Sequence, residues 1–414
     1  MTTRTKLVIA LTTAIGMIPL GQAMAGVGFT AGDWKVDLSG NVNGFYVNSN
    51  CDSSGAGTNV AGGLACTGDN SGSVRNGLLP AAIVFSISSR QDNLDVGVTI
   101  GLYPGINSSL GGAVNTGGGN PAALQSPGID ARQAFFTFGD ASWGSVKIGR
   151  DIGLFAKDAI LDDMTLLGVG SAGGNAAPSN TSLGRIGIGY IYTDWEPQIT
   201  YTSPSYNGFG VSAGVFQPLN SLTDGYTKHT SPQFQIGANY AWGDPKTDTL
   251  TGKVWVDVVS QRLQATDAQV AANPNAPSGF TGTAFDGGVK VDYADFEAVL
   301  YGYSGKGVGT TGLYVLPVSA TGEKRDSDGG YVQLSYKFGK LKVGASYGIS
   351  DLKLASGEAS SDLVKRNKSG VFGLYYSLTK SVTLVGEFSD TKADAQDGNS
   401  AQEKDVIVGG IVFF

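Results

Sequence analysis

The chain has 414 residues, a formal net charge of −7 and a charged fraction of only 15%. Soluble domains usually contain roughly 25% charged residues, and the 63 glycines here are about twice the average usage. There is no basic patch or RNA-binding signature, so the composition argues against a nucleic-acid partner.

The N-terminal 25 residues have the three parts of a secretory signal peptide. A basic start, Arg4 and Lys6, precedes an apolar run and the small-residue cleavage site AMA. A transmembrane anchor is the alternative, but the apolar run is short and is interrupted by a proline. We predict residues 1–25 as a signal peptide and residues 26–414 as the exported domain.

The only two cysteines, Cys51 and Cys66, bracket a segment rich in glycine, alanine and serine. An oxidising compartment permits a disulfide, and two cysteines allow only one pairing. We therefore predict a Cys51–Cys66 disulfide that restrains a loop. A metal site is disfavoured because His229 is the only histidine in the chain, and no cofactor is predicted.

Beyond the signal peptide, hydrophobicity alternates with a period of two residues along most of the chain. In QFQIGANYAW, residues 233–242, apolar side chains from Phe234 to Trp242 share one face, and most of the polar ones share the other. About 16 such segments can be counted, and short connections between them alternate with long, polar, glycine-rich ones. Further examples are residues 36–47, 94–102, 331–338, 341–349 and 381–389.

Strands with one apolar and one polar face fit either a soluble sandwich or a membrane barrel. Strands of about ten residues, with short turns at one end and long loops at the other, are typical of the barrel. Because lipid offers no hydrogen-bond partners, the sheet must close on itself. The last segment, residues 406–414, is then expected to pair with residues 36–47 and to place Phe414 in the interfacial aromatic girdle. The fold class is all-β, a transmembrane antiparallel β-barrel of about 16 strands.

Three stretches of the chain follow one another in a characteristic order: IDARQAFFTFGD (129–140), WGSVKIGRDIGLF (143–155), and LGRIGIGY (183–190) followed by ITYTSPSYNGFGVSAGVF (199–216). In this order they resemble the segments before and after the constriction loop of Gram-negative general porins. The resemblance implies a homotrimer in outer-membrane lipid, inserted by the barrel assembly machinery, with Phe414 as the assembly signal. It also implies that residues 151–183 form a constriction loop folded inward to narrow the pore. One irregularity is that Phe136 shares the parity of Arg132.

An acidic cluster, Asp158, Asp162 and Asp163, lies in the segment KDAILDDM. Its spacing can gather the carboxylates on a short helical turn, which we expect near residues 156–164. A solvated loop is one interpretation of this cluster. The resemblance implies the other interpretation, in which these residues form the acidic side of the pore constriction.

Three arginines are predicted to form a basic wall opposite these acids. Arg90 and Arg185 lie on the polar parity of IVFSISSR and GRIGIGYIY, whose alternating apolar residues are expected to face lipid. A charge facing lipid at mid-bilayer costs about 2–4 kcal/mol, so a position in the lumen is favoured. Arg132 is assigned from the resemblance alone. Arg75 and Lys147 are weaker candidates.

Two motifs found in enzymes occur without their structural context. GVGSAG (168–173) lacks the preceding strand and following helix of a dinucleotide site, and GVSAG (210–214) lies within an alternating strand. We therefore predict that the protein is not an enzyme.

The predicted function is a water-filled porin channel for passive diffusion of small hydrophilic solutes and ions through a Gram-negative outer membrane. Two alternatives remain open. A substrate-specific channel would show saturable uptake, and a plugged structural or adhesive barrel would show no conductance.

Overall fold

The computed structural model describes residues 26–107, 128–173, 180–221, 225–272, 274 and 276–414. The predicted signal peptide lies outside these residues. The described strands are β1 (Val27–Ala31), β2 (Trp34–Cys51), β3 (Ser71–Arg75), β4 (Ala82–Gln91), β5 (Leu94–Pro104), β6 (Ile129–Asp140), β7 (Gly144–Ile152), β8 (Trp195–Thr202), β9 (Phe209–Phe216), β10 (Gln233–Trp242), β11 (Leu250–Gln264), β12 (Gly279–Tyr293), β13 (Phe296–Lys306), β14 (Asp326–Phe338), β15 (Leu341–Leu352), β16 (Val364–Ser377), β17 (Val382–Ala395) and β18 (Ser400–Phe413).

Helical structure is limited to short pieces. The described α-helices are α1 (Lys157–Leu161) and α2 (Asp267–Ala272), and a 3₁₀ turn follows α1 at Met164–Leu167. Within the described ranges, no helix is both long enough and apolar enough to cross a membrane.

The eighteen described strand segments occupy sixteen positions in one closed antiparallel barrel. β18 pairs with β2, from Glu403 opposite Cys51 to Phe413 opposite Asn41, as the sequence predicted. β1 pairs with the start of β2, just beyond the end of β18, so β1 and β18 share one position. β3 and β4 pair with successive parts of β2 and share another. The closed barrel therefore has sixteen strand positions, which confirms the predicted barrel.

The two faces of the strands differ as a membrane barrel requires. Outward-facing residues such as Leu300, Val332 and Phe388 are apolar and exposed, whereas many inward neighbours are polar. Short turns join the strands at one end of the barrel. In one of them Asp92 and Asn93 both adopt positive φ, the backbone geometry of a tight two-residue hairpin turn. The long connections all lie at the other end.

A β-bulge in β6 explains the irregular alternation noted around Arg132. Gly101 on β5 pairs with Gln133, and Leu102 pairs with Ala131, so Arg132 is the unpaired extra residue. Arg132 and Gln133 are consequently both buried, while Phe136 remains exposed on the outer face. The bulge resets the parity of the strand, which a strict period of two cannot anticipate.

Candidate pore constriction

The connection between β7 and β8, which we call the constriction loop, folds into the barrel over its described residues, 153–173 and 180–194. The predicted inward fold is therefore confirmed, although the inserted segment extends beyond residue 183. The first part of the loop, residues 154–170, is held by four inward-facing side chains of the barrel wall: Gln235, Asp286, Gln333 and Glu387. We call these four residues the acceptor row. Because the loop lacks a β-ladder, these side chains satisfy backbone N–H groups that would otherwise be buried without partners.

The acceptor row follows the wall through β10, β12, β14 and β17. Gln235 accepts hydrogen bonds at 2.6 and 2.9 Å, Asp286 and Gln333 each accept one at 2.7 Å, and Glu387 accepts two at 2.8 and 2.9 Å. The loop is thus fixed along much of the barrel circumference. The backbone donors, in chain order, are Leu154, Phe155, Ala156, Met164, Val169 and Gly170.

The later part of the loop shows that one prediction was wrong. Residues 184–192 were expected to form a strand with apolar side chains facing lipid, but they form turns and isolated bridges inside the barrel. Ile188 and Tyr190 are fully buried in the core enclosed by the wall and the loops. Gly187 and Gly189 have φ values of 72° and 140°, so this glycine-rich segment departs from extended strand geometry.

Two of the predicted acidic residues meet lysines from the wall on which the loop rests. Lys253 on β11 lies 2.5 Å from Asp158 and 2.9 Å from Asp162. Lys290 continues the series, 3.7 Å from Asp162, and is joined through Glu297 to Lys342, each of these two contacts being 3.0 Å. We call these six residues the α1 charge network. It contains three carboxylates and three ammonium groups, so its formal charge is zero.

Burial and ion pairing shift the pKa in opposite directions for Asp158, which lies in α1, and for Asp162, which is the C-cap of α1. Burial opposes ionisation of Asp158, but Lys157 and Lys253 still lower its pKa. For Asp162, burial outweighs Lys253 and Lys290, and the pKa of this carboxyl is raised. Asp162 is therefore the more easily protonated of the two.

Asp163 lies within the packing of the loop rather than on the lumen surface. It caps the 3₁₀ turn by accepting from the Thr165 N–H at 2.9 Å, and its other oxygen accepts from the Tyr190 hydroxyl at 3.1 Å. Burial raises the pKa of the Asp163 carboxyl despite the nearby charge of Arg185. Arg185 is itself fully buried and donates to the Ser369 carbonyl at 3.1 Å.

Arg90 is at the short-turn end of the barrel, remote in the fold from the loop. It is half-exposed and forms ion pairs with Asp95 and Asp140, each at 2.8 Å. Arg132 is buried beside Asp130, at 2.9 Å. The structure therefore does not bring Arg90, Arg132 and Arg185 together as one wall. Only Arg185 lies near a predicted acid, Asp163, and both of these residues are buried in the packing of the loop.

The two weaker candidates also have local partners. Arg75 is buried and donates to the loop carbonyls of Ala172 at 3.1 Å and Thr181 at 2.6 Å, so it helps to fix the loop. Lys147 pairs with Asp151 on the same strand and lies 4.9 Å above the Phe135 ring.

Sequence reasoning missed the basic half of the network, Lys253, Lys290 and Lys342, and the linking carboxylate Glu297. A signal for Lys290 was present, since VKVDY places it between two outward valines, Val289 and Val291. Periodicity shows that Lys290 faces the lumen. It does not show that α1 is the element resting above it.

The predicted disulfide is confirmed, since Cys51 and Cys66 are bonded. The enclosed loop turns inward over the barrel mouth, where the Ala61 N–H donates to the Asp362 carbonyl and the Leu64 N–H to Asn367. At the other end of the barrel, Phe414 shares two backbone hydrogen bonds with Gly40, at 2.8 and 3.0 Å. No group of three His, Cys, Asp or Glu side chains suited to a metal ion occurs in the described ranges.

Comparison with known proteins agrees with this geometry. A family model described as Gram-negative porin matches residues 12–396. The fold is similar to the outer membrane channel DcaP of Acinetobacter baumannii, with a TM-score of 0.67 and 15% identity over 94% of this chain and 100% of that chain. Salmonella typhi OmpF in complex with daunomycin gives 0.58 and 15%, over 94% and 100%. Vibrio cholerae OmpT in its trimer form gives 0.53 and 12%, over 92% and 99%. No curated protein sequence matches the chain.

Proposed function

The chain belongs to the Gram-negative porin family and forms an outer-membrane channel for passive diffusion, and we propose that the α1 charge network forms its constriction. Asp158 and Asp162 supply the acidic side. Lys253 and Lys290 replace the predicted arginines as the nearest wall cations. The supporting observation is that the acceptor row holds α1 inside the barrel, with Asp158 and Lys253 half-buried at the lumen surface.

The balance of charge in this network suggests weak ion selectivity. A passing ion meets three carboxylates and three lysines within one cluster, so attraction by one sign is offset by repulsion from the other. Selectivity then depends mainly on the width left beside α1. Small hydrophilic solutes of either charge are expected to pass, and no chemistry is catalysed.

Single-channel recording tests this proposal. Lys253→Gln should shift the zero-current potential in a potassium chloride gradient toward cation preference, because it leaves Asp158 and Asp162 less compensated. The shift should weaken near 1 M salt, where the Debye length is about 3 Å. Lys340→Gln, at an exposed short turn, is the matched control. Equal potentials for both variants would contradict the assignment.

We also propose that the channel assembles as a homotrimer in outer-membrane lipid after insertion by the barrel assembly machinery, with residues 1–25 acting as its export signal. The trimer form of the similar OmpT fold supports the oligomeric state. Mass measurement of the detergent-solubilised, unheated protein tests it. A protomer mass alone would refute the trimer.

A further inference from the structure

Two long connections turn inward and contact the later part of the constriction loop, at the end of the barrel that carries the long connections. One is the disulfide-bonded segment from Cys51 to Cys66, which we call the clamp loop. The other is the connection between β13 and β14, residues 307–325, which we call the lid loop. Both contact residues 184–192, so three separate segments of the chain meet inside the barrel.

The lid loop packs on the constriction loop through both backbone and side chains. The Tyr192 N–H donates to the Thr311 carbonyl at 2.8 Å, and Tyr192 forms an isolated parallel bridge with Gly312. Tyr314 of the lid loop is fully buried in the same core cluster as Tyr190 of the constriction loop. The lid loop is therefore part of the packing that encloses the constriction loop.

Three residues of the lid loop other than glycine have a left-handed backbone. Their φ values are 67° at Thr311, 63° at Tyr314 and 59° at Leu316. This region is unfavourable for a side chain branched at Cβ, such as that of Thr311, and residues persist in it only where the surrounding structure holds them. The inward conformation of the lid loop therefore depends on the segments packed against it.

The clamp loop contacts both of the other segments. A Cβ built at Gly187 of the constriction loop would lie 2.7 Å from Cδ1 of Leu64 and 2.7 Å from Oγ1 of Thr311. Leu64 of the clamp loop and Thr311 of the lid loop thus meet at one backbone position. A Cβ built at Gly62 of the clamp loop would likewise lie 2.8 Å from Cδ1 of Leu316. The contact at Gly187 is too close to admit even a methyl group.

The clamp loop is held at its tip by β16 and at its base by the disulfide. The Leu64 N–H donates to Oδ1 of Asn367 at 3.0 Å, and the Val364 N–H donates to the Ala61 carbonyl at 2.8 Å. The segment between the cysteines is rich in glycine, so it has little stiffness of its own. The disulfide joins residues 15 positions apart and thereby limits the conformations that the segment can adopt.

We propose that the Cys51–Cys66 disulfide positions the channel entrance by holding Leu64 against Gly187 and Thr311, and that this junction limits the size of the solutes that enter. Leu64, Gly187 and Thr311 carry no charge, so the junction selects by width, whereas ion preference depends on the α1 charge network. The proposal rests on the channel function and does not require that the α1 charge network be the constriction.

Single-channel recording of the purified full-length protein tests the proposal with two variants. The double variant Cys51→Ser, Cys66→Ser removes the bond, and Leu64→Ala removes the contact at Gly187 but keeps the bond. Both should raise the conductance at high salt about 1.5-fold, because a wider entrance conducts more ions. Both should also admit larger polyethylene glycols, measured as the largest polymer that lowers the conductance when added on the side of the long connections.

Val270→Ala is the matched control, because Val270 is an exposed apolar residue in another long connection. It should keep the conductance and the polymer limit of the wild type. Lys253→Gln is expected to move the zero-current potential and to leave the polymer limit unchanged. The two entrance variants should do the reverse, so failure of this proposal and failure of the α1 assignment can be distinguished.

Unchanged conductance and an unchanged polymer limit in both entrance variants would overturn the proposal. An effect in the double cysteine variant with none in Leu64→Ala would also overturn it, because the bond would then act without this contact. A shifted zero-current potential in both variants would show that they disturb the α1 charge network instead, and would likewise overturn it. If the double variant does not fold, Leu64→Ala, which retains the disulfide, decides by the same measurements.

Discussion

Asp162 in the constriction loop and Lys253 on β11 form an ion pair at 2.9 Å. The partner of this loop carboxylate is thus the wall against which the loop is packed, and not an arginine across the pore. The pair links the position of the loop to the charge at the lumen surface. Changing either residue is therefore expected to affect both the position of the loop and the charge at the lumen surface.

Neighbouring aspartates should respond differently to neutralisation. Asp162→Asn should shift the zero-current potential in a potassium chloride gradient toward anions, because Lys253 and Lys290 lose a compensating charge. Asp163→Asn should leave the potential nearly unchanged, because Asp163 is buried and bonded to Thr165 and Tyr190. A larger shift for Asp163→Asn would contradict this placement of the loop.

The selectivity of the wild-type channel should depend on pH through Asp162. Burial raises the pKa of this carboxyl, so as the pH falls it takes up a proton before an ordinary exposed aspartate does. Protonation removes one negative charge, and the zero-current potential should move toward anion preference. Asp162→Asn should show a smaller change of potential than the wild type over a pH series, because the contribution of this carboxyl is absent. Asp248→Asn, in an exposed turn, serves as the control and should change as the wild type does.

Removing one member of the acceptor row should loosen the loop. Glu387→Leu leaves the buried N–H groups of Val169 and Gly170 without acceptors, at a cost of about 1–3 kcal/mol each. We expect noisier open-channel current and a changed mean conductance in single-channel records. Glu323→Leu, in an exposed loop, should resemble the wild type. Quiet, unchanged current from Glu387→Leu would show that the loop does not depend on this acceptor.

The disulfide should be complete in the exported protein. Maleimide labelling of the unreduced, denatured chain should detect no free thiol, and labelling after reduction should detect both cysteines. The bond joins residues 15 positions apart, and closing such a loop is worth about 3 kcal/mol in the chain-entropy model. Thermal unfolding with and without reductant measures how much of this stabilisation the disulfide contributes to the barrel. Full labelling without reductant would refute the prediction.

Deleting Phe414 should reduce assembly more than it reduces the stability of a folded barrel. In the folded state its backbone contributes two hydrogen bonds to Gly40, a small part of a closed ladder. The amount of heat-modifiable folded protein in the outer membrane should fall, while the melting temperature of the barrel that does form should change little. Wild-type amounts of folded protein would contradict the assembly role.

Much of the barrel could be predicted from the alternation of apolar and polar residues and from the requirement that the sheet close on itself. Alternation along segments such as residues 331–338 separates a lipid face from a lumen face. Lipid leaves no backbone group unpaired, so β18 had to meet β2. The export-type N-terminus and the single pair Cys51 and Cys66 likewise implied one disulfide without knowledge of the fold.

The site was decided by tertiary structure. Parity shows that Lys290 faces inward, but strand position around the barrel and the path of the loop determine that it meets Asp162. One bulged residue, Arg132, reverses the parity of its strand. Residues 184–192 alternate like a strand, yet they fold as a loop inside the barrel, where their apolar side chains are buried by protein instead of lipid. Local pattern fixes which face of a strand is apolar, whereas partners separated by many residues depend on closure of the whole sheet and on how the inserted loop packs within it.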